Sequence, residues 1–342
     1  MRAKKLIRKN ILDLIPYSSA RDDFKSDKNF IYLDANESSY GNDLNRYPDN
    51  RHLKLFQLIC SYKDVNNNNL VLCNGTDELI DLVIRIFCKP GIDKIITLNP
   101  TYGMYDVSAK INDVENITIN LDSKFQIDTS KVISKFDSNT KIIFITNPNN
   151  PTGNTFDEKS IIKIIESFQG IVFIDEAYVD YSKKSFLKKI KKYDNLIISQ
   201  TFSKALGLAG IRLGIGYSNK DIIDYIKKVK PPYNINSLTE KKAINSITKY
   251  YVNSNQVNET IVERNNLSEK LIKINSVKNV FPSNSNFILV EFNDANKIYQ
   301  QLIQNKIVVR NRSNVVGCSN CLRITVGTPE QNQLLIKTLK NL

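Results

Sequence analysis

A few residues of this chain combine type and setting in a way that could do chemistry. Lys204 follows the apolar run Leu196-Ile197-Ile198 by six residues and opens the small, apolar stretch Ala205-Leu206-Gly207-Leu208-Ala209-Gly210. An amine held away from water there sheds its proton more readily than a surface lysine and can act as nucleophile or base. Asp175 ends a second apolar run, Ile171-Val172-Phe173-Ile174, with Tyr178 three residues on. A carboxylate so placed can hold a cationic group or cap a following helix. Gly75 and Thr76, within Asn74-Gly75-Thr76-Asp77-Glu78, stand where a helical pattern begins. Backbone N–H groups and the helix dipole can hold an anion at such a point, and glycine lets the backbone approach it closely. Thr201 and Ser203 offer hydroxyls nearby in sequence, and Arg212 a guanidinium fork.

Something must bring these distant residues together. Short, largely β-branched runs occur at Leu70-Cys73, Ile95-Leu98, Ile142-Ile145, Ile171-Ile174 and Leu196-Ile198. Each is apolar throughout, as strands buried on both faces of a parallel sheet are. Helical patterns at Asp77–Phe87 and Asp157–Phe168 lie between them, which implies βαβ units and an α/β layer architecture. A polar cluster follows every one of these runs, and in open α/β sheets ligands bind beyond the carboxyl ends of the strands. After about Asn236 the rhythm changes to a helical stretch over 237–275. Strand candidates follow at Phe287-Val290, Ile307-Val309 and Leu322-Val326, with helices over Ala295–Gln304 and Pro329–Leu342. The pattern predicts an N-terminal arm (1–30), a large domain (31–235) and a smaller C-terminal α/β domain (236–342).

Composition narrows the function classes. The 342 residues carry 48 Lys and Arg against 35 Asp and Glu, a formal charge of +13. The single histidine, His52, leaves no multi-histidine metal site, and five cysteines do not form a disulfide scaffold. Cys318-x-x-Cys321 lacks a second such pair, so no metal is expected. The basic start has no apolar segment before Asp13, and nowhere do 18 apolar residues run together. These features predict a cytoplasmic protein with neither signal peptide nor membrane span. The lysines between Lys183 and Lys192 are interleaved with Phe186, Leu187 and Ile190 and suit a solvated face, so nucleic acid is not expected as a partner. No G-x-G-x-x-G follows the first strand candidate, which excludes a dinucleotide-binding fingerprint.

The spacing of Asp175, Tyr178, Lys204 and Arg212 resembles that of pyridoxal-phosphate-dependent aminotransferases of the aspartate-aminotransferase fold. Further segments are similar to the histidinol-phosphate aminotransferase family. They are Leu33-Asp34-Ala35-Asn36-Glu37, Arg46-Tyr47-Pro48, Pro100–Tyr105, Asn147–Gly153, Pro231-Pro232-Tyr233-Asn234 and Leu322–Gly327. The resemblance implies fold type I, with a mostly parallel mixed sheet between helices, and pyridoxal 5'-phosphate as cofactor. It implies that Lys204 carries the cofactor, that Asp175 pairs with the ring nitrogen, and that Tyr178 and Asn150 bond the ring hydroxyl. Tyr102 would stack on the ring. Gly75, Thr76, Thr201, Ser203 and Arg212 would surround the phosphate, with Tyr47 arriving from the partner subunit of a homodimer, and Asp77 would also bind the cofactor. Arg323 would bind the substrate anion, Arg310 would be a second phosphate ligand, and Tyr17 and Asn36 would lie on the substrate side.

The implied reaction is reversible transamination between histidinol phosphate and 2-oxoglutarate in histidine biosynthesis. An aromatic-amino-acid aminotransferase and a threonine-phosphate decarboxylase remain alternatives on the same scaffold. The chain departs from the family pattern near the substrate: Asn36-Glu37 is followed by Ser38-Ser39 instead of Asn-Pro, and Tyr17 by Ser18-Ser19 instead of Pro-Gly.

Overall fold

A computed structural model describes residues 3–18, 30–253 and 255–342. Helices α1 (Lys9–Leu12) and α2 (Leu53–Lys63) lead to strand β1 (Leu70–Asn74) and helix α3 (Gly75–Phe87). Then come β2 (Lys94–Asn99), α4 (Met104–Ile111), β3 (Glu115–Asn120), α5 (Thr129–Ile133), β4 (Thr140–Thr146), α6 (Glu158–Ser167) and β5 (Ile171–Asp175). The series continues with α7 (Val179–Ser182), β6 (Leu196–Thr201), β7 (Leu213–Tyr217) and α8 (Lys220–Val229). Two longer helices, α9 (Ser237–Asn253) and α10 (Gln256–Leu271), precede β8 (Val277–Val280), β9 (Phe287–Phe292), α11 (Ala295–Gln304), β10 (Arg310–Asn311), β11 (Cys321–Thr325) and α12 (Pro329–Lys340).

Seven strands form one sheet in the order β1-β7-β6-β5-β4-β2-β3. Strands β2 to β6 run parallel, whereas β7 lies antiparallel between β1 and β6. Alternate residues of the same strand enter opposite cores, as a period of two requires. Ile143, Val172 and Ile198 pack on one side with Ile161, Ile164 and Ile165 of α6. Phe144, Phe173 and Ile197 pack on the other with Leu79, Val83 and Ile86 of α3 and with Ile222 and Ile226 of α8.

A second, four-stranded antiparallel sheet has the order β10-β11-β9-β8. Its Ile288, Val290, Leu322 and Ile324 face a core built with α10, α11 and α12. Helix α12 starts on a capping box, in which Thr328 and Gln331 satisfy each other's backbone N–H groups, with Pro329 in the first turn. The opposite face of this sheet, through Leu289 and Cys321, packs on Phe125 of the seven-stranded unit.

The expected strands at 70–73, 95–98, 142–145, 171–174 and 196–198 are present, and β3, β7 and β8 are additional. Strand β3 reads Glu-Asn-Ile-Thr-Ile-Asn and is half polar because it is the sheet edge. Strand β7 carries two glycines in five residues, which hides its strand character. The expected strand over Ile307-Val309 is corrected: the chain is irregular there and pairs with β11 only at Arg310 and Asn311. Val308 is 79% exposed, so its apolar character reflects no burial.

Buried polar groups are anchored to this frame. Glu176, just past β5, is fully buried and accepts hydrogen bonds from Ser185 Oγ (2.7 Å), the Phe186 N–H (2.5 Å) and Gln200 Nε2 (2.8 Å). Burial outweighs these donors and pushes its carboxyl up to about 7. The folded state therefore holds this proton more tightly than the unfolded chain. The associated stability is complete below about pH 4.5 and is lost as pH rises through about 7. Chemical denaturation at pH 5 and pH 8 should show wild type losing on the order of 1–3 kcal/mol more than Glu176→Gln across that interval. Equal losses would show that Glu176 ionises freely in the fold.

Candidate active site

The carboxyl ends of the parallel strands and the N-terminus of α3 surround one cleft. Its lining includes Thr76, Asp77, Tyr102, Asn150, Asp175, Tyr178, Thr201, Ser203, Lys204 and Arg212. The sequence thus distributes these side chains over five strand ends, and the sheet collects them.

Lys204 stands on the turn after β6, its Nζ 5.7 Å from the centroid of the Tyr178 ring. Burial pushes its amine below the ordinary lysine range, and the Arg323 and Arg212 charges act in the same direction while Asp175 and Asp77 oppose them. Asp175, the last residue of β5, is 3% exposed. Its Oδ2 accepts from the Tyr105 hydroxyl (2.8 Å), and its Oδ1 from Ser199 Oγ (3.0 Å) and the Ala177 N–H (3.1 Å). Burial raises its carboxyl above the usual range even so, because these donors only partly replace water. The Tyr178 phenol is pushed up to about 12 by burial, and its ring meets Phe287 of the second sheet edge-on at 5.0 Å.

The anion cradle is built from backbone. Gly75 opens α3 at φ +75°, and a Cβ there would lie 2.7 Å from Arg212 Nη2. A Cβ on Gly214 of β7 would lie 2.5 Å from the carbonyl carbon of Gly75 and 2.6 Å from the Thr76 nitrogen. Backbone thus packs on backbone below the helix N-terminus. Arg212 Nη2 and the Tyr102 hydroxyl both reach Asp77, at 3.3 and 3.0 Å. Thr201 Oγ1 donates to Ser203 Oγ at 3.0 Å. These groups offer N–H, O–H and guanidinium donors around one spot, as a phosphate requires.

Arg323 of β11 closes the cleft from the second sheet. It lies over the Phe287 ring at 5.1 Å and donates to Asn150 Oδ1.

The profile of the family described as "Aminotransferase class I and II" matches residues 25–339. The chain belongs to that family. This aminotransferase is 47% identical to the histidinol-phosphate aminotransferase of Flavobacterium psychrophilum over 339 residues, covering 98% of each chain. It is 47% identical to the enzyme of that name from Christiangramia forsetii, covering 99% of this chain and 97% of the relative. The solved histidinol-phosphate aminotransferase of Clostridium acetobutylicum superposes with a TM-score of 0.79 at 31% identity, over 87% of this chain and 91% of that one. The Thermotoga maritima aspartate aminotransferase shares the fold, with a TM-score of 0.73 at 19% identity over 86% and 83% of the two chains.

Within the aminotransferase chain, three expected site residues stand apart from the cleft. Tyr47 stacks on Tyr233 at 4.5 Å and borders a separate hollow together with Asn36. Tyr17 is 72% exposed and borders another depression near His52 and Lys230. Arg310 is exposed and lies across the ladder from Arg323. Conversely, the sequence pattern gives Tyr105, Thr146 and Ser199 no role of their own, yet they surround Asp175. A weak signal is present for two of them: Thr146 directly follows the apolar run of β4, and Ser199 that of β6.

Proposed function

We propose that this chain is a pyridoxal-phosphate-dependent aminotransferase that interconverts histidinol phosphate and 2-oxoglutarate with imidazole-acetol phosphate and glutamate, in histidine biosynthesis. The observation that carries the reading is the meeting of Lys204, Asp175 and the α3 N-terminus in one cleft beneath Arg323. The relatives at 47% identity and nearly full coverage support the substrate. The residues fit pyridoxal 5'-phosphate. The cradle at Gly75 and Gly214 leaves backbone N–H groups free of side-chain cover for a phosphate, and Asp175 is a buried carboxylate with donors holding it in one orientation.

When bound, the cofactor supplies an aldehyde for the substrate amine and a ring that draws electrons from the α-carbon. Asp175, positioned by Tyr105 and Ser199, would hold a proton on the ring nitrogen. Tyr178 and Asn150 would orient the ring hydroxyl, and Tyr102 would cover the ring. Thr76, Asp77, Thr201, Ser203 and Arg212 hold the phosphate end, directly or through one another. Lys204 Nζ would hold the cofactor through its aldehyde and, as the free amine, would take the proton from the substrate α-carbon. Arg323 and Arg310 hold the substrate's anionic end. The reading extends to a cytoplasmic homodimer in which Tyr47 reaches the partner's cleft and Tyr17 and Asn36 approach the substrate. The five cysteines are free, and Ile15, Tyr17, Ile31, Leu33 and Tyr40 expose apolar surface suited to a second copy.

Single-turnover spectroscopy tests the substrate. Cofactor-loaded enzyme is mixed with histidinol phosphate, phenylalanine or threonine phosphate without a keto acceptor. Amino transfer from histidinol phosphate should be faster than from phenylalanine by about 100-fold or more, given a dianion met by paired guanidiniums. A faster reaction with phenylalanine would make this an aromatic aminotransferase. Release of CO2 from threonine phosphate would make it a decarboxylase.

A further inference from the structure

The exposed edge of the four-stranded sheet leads into Arg312, which no role above uses. Arg310 faces Arg323 across the β10–β11 ladder. The ladder continues one step further, because the Arg312 N–H donates to the Cys321 carbonyl at 2.9 Å. With a side-chain period of two, Arg310, Arg312 and Arg323 therefore stand on one face of the sheet. It is the face that looks toward the cleft: Leu289, across from Arg323, and Cys321 pack on Phe125, and Arg323 lies over Phe287. Asn311, between the two arginines, turns the other way and reaches Asn296 of α11 at 2.8 Å.

Three guanidiniums in one place repel one another, and among the described residues no carboxylate pairs with any of them. Arg323 has only the neutral Asn150 amide as a hydrogen-bond acceptor. Arg312 Nε is buried without any acceptor, and the hydroxyl of the next residue, Ser313, is buried in the same condition. Buried donors are normally satisfied, so an orphaned guanidinium N–H beside two like charges marks a site for an anion. Arg312 also lies close enough to the Tyr178 phenol and to Arg323 for their charges to act on each other, which places it at the cleft.

We propose that Arg312 is a third ligand for the distal anion of the amino substrate, a guanidinium that only a phosphate monoester engages, while Arg310 and Arg323 also serve the carboxylate of glutamate. The proposal rests on the transaminase reading of the cleft. A phosphate dianion presents three oxygens and two charges. Two guanidiniums suffice for a carboxylate, whereas a third finds a partner only on a phosphate.

The test compares Arg312→Gln and Arg312→Lys with wild type in the loaded enzyme, using histidinol phosphate and its unphosphorylated counterpart histidinol as donors. Arg312→Gln should raise KM for histidinol phosphate on the order of 10–100-fold with kcat nearly unchanged, and leave kcat/KM for histidinol within about threefold. Arg312→Lys, which keeps the charge but not the fork, should fall between. Inorganic phosphate, as a competitive inhibitor of whichever donor wild type uses, should lose about tenfold in affinity in Arg312→Gln. That arm reads the anion site even if histidinol phosphate is not the substrate. Wild type indifferent to the donor's phosphate would overturn the functional reading. Normal wild-type preference with equal losses on both donors in Arg312→Gln, or with an unchanged inhibition constant for phosphate, would overturn the role of Arg312 alone.

Discussion

Replacing Lys204 by alanine should abolish transamination, lowering kcat by at least about 10⁴-fold. Two functions vanish together, a nucleophile and a positioned proton carrier, and each is worth on the order of 10²–10⁴. The environment of Lys204 is specific to those tasks. Burial and the neighbouring Arg323 and Arg212 push its amine below the ordinary lysine range, so a larger share of it is free base near neutral pH. An arginine at this position would keep the charge and much of the volume but could not deprotonate, so Lys204→Arg should be as inactive as Lys204→Ala. Pre-steady-state amino transfer from glutamate checks both. Residual transfer above about 1% of wild type would remove Lys204 from the chemistry. In wild type, kcat should rise with pH through a value below that of a free lysine, because the Lys204 amine is free to accept the α-proton only once substrate is bound.

Asp175→Asn should lower kcat by about 10³-fold while leaving the fold intact. The side chain keeps its size and an oxygen to accept from Tyr105 or Ser199, but it loses the negative charge that would hold a proton on a ring nitrogen. Burial already disfavours that charge, so the protein gives up stability to keep it. The uncharged variant should therefore match or exceed the wild-type thermal midpoint in the cofactor-free state. Measuring kcat and the melting midpoint together separates the two effects. A variant within tenfold of wild-type kcat would refute the electrostatic role, and a large loss of stability would show that Asp175 is chiefly structural.

The parallel layer of the large sheet was legible because its strands are buried on both faces, and burial on both faces is what makes a short β-branched run apolar throughout. Asp175, Lys204 and Gly75 were legible for a related reason: each directly follows or closely succeeds such a run, where α/β sheets place ligands. What remained hidden was hidden by mixed signals. Strand β7 carries two glycines, and β3 alternates polar residues at an edge, so neither shows a continuous apolar run. Ile307-Val309 gave the opposite error, an apolar run that the fold leaves irregular. Arg312 carries no sequence signal because its strand pairing begins only at Arg310, and a two-residue strand has no periodicity to read. Tyr105 belongs to α4 and is fully buried, so in sequence it is indistinguishable from a core aromatic.

Strand β7 also sets a limit on how this scaffold can vary. Its Leu-Gly-Ile-Gly-Tyr sequence is poor material for the interior of a sheet, since glycine surrenders more chain entropy than any other residue and packs nothing on its neighbours. Yet a single methyl group on Gly214 would collide with main-chain atoms of Gly75 and Thr76, which no rotamer change can move aside, and one on Gly216 would press into Leu79 of α3. Weak strand and close-fitting helix are thus a single compromise: the sheet gives up local propensity so that the start of α3 can settle flush against it. Drift at these two positions should be far more constrained than at exposed side chains elsewhere in the chain. A stabilised variant of this scaffold should therefore be sought everywhere except where the backbone is least stable by composition.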